Sequence, residues 1–485
     1  MNTDKIITAA KTYLGSEATA TSFNGLVLQA ANKYLAYDRT ALPDALKDAL
    51  NQYLTNDRIA LTDAMYDAAI QFLAGDDDMG DAVSAAIEKY IRVGGSFTGL
   101  DLDFANNRYA LNGAYSSTFP AGWSFTRASP KTAPAPNGLL SFATGVPAIV
   151  PTRGLLVEEA RTNILSYSTP GTLGWALLNT TAIQNAASSP TGAIDAMRLT
   201  SSAASQARAE IGGFVNSVAY MVSAYAKLET ARYVGFGHYN GTTDSYASFD
   251  LQTGTVVGAS GPEFSDLAIA VLADGWFRVS AAWTSAGAGS QLKLLVSNNP
   301  ALPANTGNGI SSLFWGCQLE AVPAAAPGAT SLIVTTGSAV TRPSDVPTQN
   351  FTPGAEGVLM VEWIEPEVLN TGFSRLIGSN GAGALAPITA FGTDRSQIAS
   401  WNGAMQIGAV MPTRVVGQRY KAALCWDANG RRFVGTGGNV ASDANGIGSF
   451  TQLVIGYSPV LSGFIKRVSA YNTAMTNAQL QALVA

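Results

Sequence analysis

From Leu100 onward the chain alternates. In "GLDLDFANNRYAL", Leu100, Leu102 and Phe104 fall on one side and Asp101 and Asp103 on the other. A period of two gives one buried and one solvated face only on a β-strand. Short runs of this kind, cut by Gly, Pro, Asn and Asp, continue to the end of the chain. Between 160 and 345 the strand candidates are "AMRLTSS", "YMVSAYAKLE", "YASFDLQTGTVV", "GWFRVSAAWTS", "QLKLLVS" and "SLFWGCQLEAV", with a turn at Thr253-Gly254 joining two of them. Their spacing predicts a sandwich or jelly roll. "TRPSDVPTQNFTPGAEG" (341–357) reads as an extended, Pro-rich linker. A second β-unit follows, with "VLMVEWI", "YKAALCWD", "RRFVG", "FTQLVIGYS" and "GFIKRVSAYN", and it closes on a short helix from about Thr476.

Residues 1–95 keep a different period. Tyr13, Tyr34, Tyr53, Phe72 and Tyr90 each have Ala four positions earlier (Ala9, Ala30, Ala49, Ala68, Ala86) and Leu or Ile one position later. On a helix these positions share one stripe. The expectation is five short amphipathic helices, marginal singly, which must stack on one another or on a partner. "GDDDMGDA" (75–82) lacks the ligand spacing of a calcium loop, and Asp76 to Asp78 read as a helix cap.

Composition narrows the function. Residues 1–95 carry 8 basic and 13 acidic side chains, a charge of −5, and residues 96–485 carry 21 of each, a charge of zero. A neutral body has no electrostatic footprint for DNA or RNA. It suits sugars, which are held by stacking and hydrogen bonds. No apolar run is long enough to span a membrane, and "MNTDKIITAAKTYLG" lacks the core of a signal peptide, so export by the general secretory route is not expected. Cys317 and Cys425 fall in different β-units and read as small core residues, not a disulfide. One histidine and two distant cysteines leave no set for a transition-metal site, and no cofactor is expected.

No pair of carboxylates stands out for glycoside cleavage. Asp101 and Asp103 satisfy ordinary outward alternation, Asp244, Asp274 and Asp394 sit in expected turns, and Asp250 sits in a candidate strand. A sugar-binding surface needs exposed aromatics beside amides and hydroxyls. Trp276, Trp315, Trp363 and Trp426 lie in alternating runs and read as core. Two segments read as polar loops supply the candidate ligand-binding residues: Trp401 with Asn402 in "IASWNGAMQ", and His238, Tyr239 and Tyr246 around "GHYNGTTDSY". The chain is expected to be non-catalytic, with no catalytic residue and no metal ligand assigned.

"FTRAS" (125–129), "RGLLVEEARTNILS" (153–166), "YMVSAYAK" (220–227), "FDLQTGTV" (249–256), "DGWFRV" (274–279), "LFWGCQLE" (313–320) and "TTGSAVTRPSD" (335–345) occur in this order. The series resembles the carbohydrate-binding-module-like domain of phage spike, head-fibre and tail-fibre proteins. The segment "LVIGYSPVLSGFIKRVSAYNTAMTNAQLQAL" is similar to concanavalin-like and laminin-G-like sandwiches. Together the patterns predict a mainly β protein with an α-helical N-terminal domain and two antiparallel β-sandwiches of jelly-roll type in tandem. The expected domains are a helical repeat for virion attachment (1–95), a β connector leading into the sandwich (96–159), a carbohydrate-binding-module-like sandwich (160–345) and a concanavalin/laminin-G-like sandwich (346–485). The resemblance implies a virion fibre or spike, a homotrimer joined to other virion proteins through its helices, that binds host cell-surface polysaccharide without nucleic acid or membrane insertion. A structural capsid or tail decoration and a polysaccharide depolymerase are the alternatives. It also makes "RGLLVEEARTNILS" an entry strand, on which Glu158 and Glu159 point to opposite faces and cannot converge on one bond; Arg161 or Arg153 would pair with one of them.

Overall fold

The computed structural model describes residues 99–485 except 136–137, 172–173, 216, 285–290, 305–306, 322–327, 367–372, 381–385, 392–394, 402–404 and 457–462. The helical repeat expected at 1–95 lies outside the described residues. Those described are mainly β, with one α-helix, Asn477–Val484.

Two sandwiches carry the fold. In the first, a front sheet has the order Thr255–Ser260, Asp244–Asp250, Tyr233–Tyr239, Gln291–Ser297, Ala207–Gly212, Ala176–Leu178. A back sheet has the order Thr180–Ser188, Ile194–Ser201, Ser311–Ala321, Ala219–Leu228, Trp276–Thr284, Phe264–Val271. Neighbours are antiparallel throughout. The alternation seen in sequence is spent on the core between these sheets: Val234, Phe236, Phe249, Leu292 and Leu294 from the front meet Val222, Val279, Trp283, Phe314 and Leu319 from the back. The turn expected at Thr253-Gly254 joins Asp244–Asp250 to Thr255–Ser260, and Gly254 supplies its left-handed residue (φ +65°).

The second sandwich is assembled differently from expectation. Its central strand Gly463–Tyr471 pairs on one edge with Gly357–Ile364 and on the other with Gly99–Asp103 and Gly154–Val157. Trp123–Thr126 pairs with Val346–Asn350, which in turn pairs with Gln452–Ile455 in the opposing sheet. Leu100, Leu102, Phe104, Leu155 and Val157 share one core with Leu359, Val361, Trp363, Leu453 and Val468. Residues 96–159 are therefore no connector into the first sandwich. They supply strands to the second, and the first sandwich is inserted between the two parts of its host. The alternating pattern of "GLDLDF" reports a strand but not its partner, which lies more than 360 residues away.

The Pro-rich stretch read as a linker is also structured. Val340–Arg342 and Val346–Asn350 are strands, and Pro347 is tolerated because it precedes the residues, Thr348 to Asn350, that pair on both sides. The C-terminal helix starts where expected. Thr476 caps it, exchanging hydrogen bonds with Gln479, and Leu480 and Val484 pack on Val358, Met360, Ala423 and Cys425. Cys317 and Cys425 are buried and unpaired in separate sandwiches, and Trp276, Trp315, Trp363 and Trp426 are buried.

The chain crosses between sandwiches at a neck. Outgoing Arg161–Asn163 and returning Val340–Arg342 pair with each other. "RGLLVEEARTNILS" is thus not one entry strand. Gly154–Val157 ends the host portion, Arg161–Asn163 begins the insert, and Glu158 and Glu159 lie in the link between them. Glu158 bonds Ser331 N–H (2.8 Å) and hydroxyl (2.5 Å) and pairs with Arg342 (3.2 Å) and Lys131 (3.0 Å). Glu159 pairs with Arg161. Asp345 accepts from Arg127, Lys131 and the Glu158 N–H. All these side chains are buried, and Arg127, Glu158, Glu159, Arg161, Arg342 and Asp345 come from three of the motifs that carry the resemblance, "FTRAS", "RGLLVEEARTNILS" and "TTGSAVTRPSD".

Candidate functional site

The front sheet's outer face is the candidate site. Because Val234, Phe236 and His238 point inward, Gly235, Gly237 and Tyr239 lie on the outer face. Register places Asp244, Tyr246 and Ser248 beside them on one side and Gln291, Lys293 and Leu295 on the other, with Arg208 and Glu210 one strand further.

Gly237 shapes the middle of this face. A Cβ there would lie 2.9 Å from two Tyr246 ring carbons, so its absence lets that ring settle against the sheet. Tyr246 packs with Leu295 and Leu302, and its phenol accepts from Gln206 Nε2 at 2.9 Å. Burial and the neighbouring Asp244 push that phenol above its ordinary value. Tyr239, by contrast, is 38% exposed, and its hydroxyl is anchored on the Gly241 carbonyl at 2.8 Å. Lys293 reaches between the two rings, 5.4 Å from the Tyr239 centroid and 6.0 Å from that of Tyr246, and is ion-paired with the half-exposed Asp244. Arg208 and Glu210 form a second pair at 2.5 Å. The face offers the exposed ring of Tyr239, its hydroxyl bonded to the Gly241 carbonyl, beside the paired Lys293 and Asp244 and the paired Arg208 and Glu210, whose charges cancel. Such a surface can stack a sugar ring and bond its hydroxyls.

The residues expected from sequence are thus only partly brought together. Tyr239 and Tyr246 share the face, but Tyr246 is 5% exposed and serves as its floor. His238 is not on a loop. It lies in Tyr233–Tyr239, fully buried, with its ring 4.8 Å from Trp283 and Nδ1 3.1 Å from the Gln291 carbonyl oxygen. The period of "YVGFGHY" places it inward with Val234 and Phe236. Trp401 closes the strand Gln397–Trp401 in the host sandwich, away from this face, and Asn402 lies outside the described residues. Sequence reasoning missed Lys293, Arg208 and Glu210. The signal was available for Lys293, since "QLKLLVS" sets it against the inward Leu292 and Leu294.

Asp101 and Asp103 point outward on the host sandwich, yet Asp101 is buried, bonded by Arg467, Ser469 and Tyr115. Burial, with Asp101 and then Glu362 nearby, raises the Asp103 carboxyl to about 7. Among the described residues no cluster of three or more His, Cys, Asp or Glu is placed to hold a metal ion, and no helix is long and apolar enough to cross a membrane.

No family model and no curated protein sequence matches the chain. Solved structures similar to it include the tandem CBM22 domains of Paenibacillus barcinonensis Xyn10C, 13% identical over 66% of this chain and 99% of that one, with a TM-score of 0.23. Domains LG4-5 of mouse laminin α1 are 12% identical over 68% and 96%, at a TM-score of 0.19. Domain 4 of AbnA, an arabinanase from Geobacillus stearothermophilus, is 16% identical over 29% and 73%, at a TM-score of 0.22. At these scores the likenesses carry no argument beyond themselves; the sandwich architecture rests on the strand pairing above.

Proposed function

We propose that the chain is a non-catalytic adhesin, a virion fibre or spike protein that holds host-surface polysaccharide on the front sheet of its inserted sandwich. The observation that carries this reading is Tyr239, an aromatic ring left 38% exposed on a sheet face and fixed beside the Lys293–Asp244 pair. The balance of charge there favours uncharged sugars over polyanions. The ordered motifs that resemble phage fibre and spike domains supply the setting: a virion, a homotrimer, and residues 1–95 as the attachment segment. One such site is weak alone, and several copies on one particle raise avidity through effective concentration.

The test passes the full chain over immobilised bacterial surface polysaccharides and records retention and the release of reducing ends together. Retention by a neutral polysaccharide without release, lost in Tyr239→Ala, is the expected result. Release of reducing ends, or retention unchanged in Tyr239→Ala, overturns the reading.

A further inference from the structure

The neck contains an arrangement that adhesion does not use. Lys131 Nζ lies 2.5 Å from Asp345 Oδ2 and 3.0 Å from Glu158 Oε2. The Lys131 and Asp345 side chains have no exposure and that of Glu158 has 5%. Asp345 is gripped from two more directions: the Glu158 N–H donates to Oδ2 at 2.8 Å and Arg127 Nη1 donates to Oδ1 at 3.2 Å. An amine, the carboxyl group it touches, and a second carboxylate on the same amine are here shut away from water together. We propose that Lys131 and Asp345 condense in the folded protein to an amide, a covalent cross-link across the base of the inserted sandwich, with Glu158 relaying the protons.

The atoms balance without a co-reactant. Lys131 begins as an ammonium and Asp345 as a carboxylate. Glu158 takes one proton, which frees the Nζ lone pair to attack Asp345 Cγ. The charge that develops on Oδ1 faces Arg127. The proton held by Glu158 and a second from the nitrogen pass to Oδ2, the Cγ–Oδ2 bond breaks, and water leaves. The amide keeps one N–H, Glu158 ends as it began, and the summed charge of the pair is zero before and after. Arg342 and Ser331 keep Glu158 a carboxylate at rest and a weak base, so it bears the Lys131 proton only in passing before handing it to Oδ2.

Two effects favour condensation where free amine and acid in water would not react. Fixed contact supplies effective molarities of about 10⁵–10⁸ M. A buried ion pair also bears a desolvation penalty that a neutral amide does not. Arg127 works in both directions, since it stabilises the ionised Asp345 as well as the oxyanion. The product would close a loop between positions 214 residues apart, with the whole inserted sandwich inside it. Tension applied at the two ends of the chain would then run through the cross-link and bypass the insert. The inference does not depend on glycan binding.

Mass spectrometry of the denatured full chain and its tryptic peptides tests it. The expected result is a chain lighter than its sequence by one water, with a branched peptide joining Lys131 to Asp345. In Glu158→Gln the branched peptide should fall at least tenfold. Separate, unmodified peptides carrying Lys131 and Asp345 from the wild-type chain, after it has been held folded, overturn the proposal even if no variant folds. A lost water that maps to other residues overturns it equally.

Discussion

Arg161 and Arg342 stand directly opposite each other on the two strands of the neck. Like charges so placed repel, and each arginine is neutralised by its own neighbour in one dipeptide, Arg161 by Glu159 and Arg342 by Glu158. The adjacent glutamates thus serve the junction, each committed to a different cation.

Removing one partner from such a buried set leaves its counter-charge uncompensated. Arg342→Met should cost about 3–5 kcal/mol, read as a fall in the urea midpoint. Arg198→Met, which breaks the more exposed pair with Glu229, should cost about 1 kcal/mol or less. Equal effects would contradict the distinction between the two pairs.

Acid should act through the same junction. Although burial alone would raise it, Glu158 is held well below the usual carboxylate range by Arg342, by the Lys131 ammonium until it condenses, and by the Ser331 bonds. A depressed carboxyl adds stability that is present above its unfolded value and lost as pH falls through its folded one. Urea midpoints measured from pH 6 downward should therefore drop below about pH 4, and less steeply in Glu158→Gln.

Asp103 has the opposite sign. Its carboxyl is raised to about 7, so keeping it ionised in the folded state costs stability as pH rises from the ordinary carboxylate value toward 7. Asp103→Asn should stabilise the chain at pH 8 by roughly 4 kcal/mol more than at pH 4. A gain that does not vary with pH would remove the explanation.

On the front sheet, exposure predicts which tyrosine binds and which supports. Tyr239→Ala should weaken glycan retention at least tenfold while stability stays within about 0.5 kcal/mol. Tyr246→Ala should cost about 3 kcal/mol, because it empties the space above Gly237. Retention by the wild-type chain should change little with added salt, since the charges of the face cancel.

Much of this was legible as pattern. Period-two alternation marked the strands, the four core tryptophans and the capped helix at Thr476, because each is settled by neighbours close in sequence. Partner choice was not legible. Nothing in "GLDLDF" says that Leu102 lies opposite Val468, so the host sandwich's two parts were read as a connector and a separate domain. The site shows the same division. The exposure of Tyr239 was legible from its polar setting, whereas His238 was misplaced by treating "GHYNG" as a loop from its composition when its alternation already turned the imidazole inward. Lys293, Arg208 and Glu210 join the site only through strand register across the sheet.

The host sandwich is built from both sides of its insert. Residues 346–485, expressed alone and examined by two-dimensional NMR, test this most directly. Without Gly99–Asp103, Trp123–Thr126 and Gly154–Val157 the central strand Gly463–Tyr471 loses its pairing along one edge and the core loses Leu100, Leu102, Phe104, Leu155 and Val157. Collapsed, poorly dispersed amide signals are predicted, with dispersion restored when residues 99–157 are supplied. A well-dispersed, cooperatively unfolding fragment on its own would contradict the account.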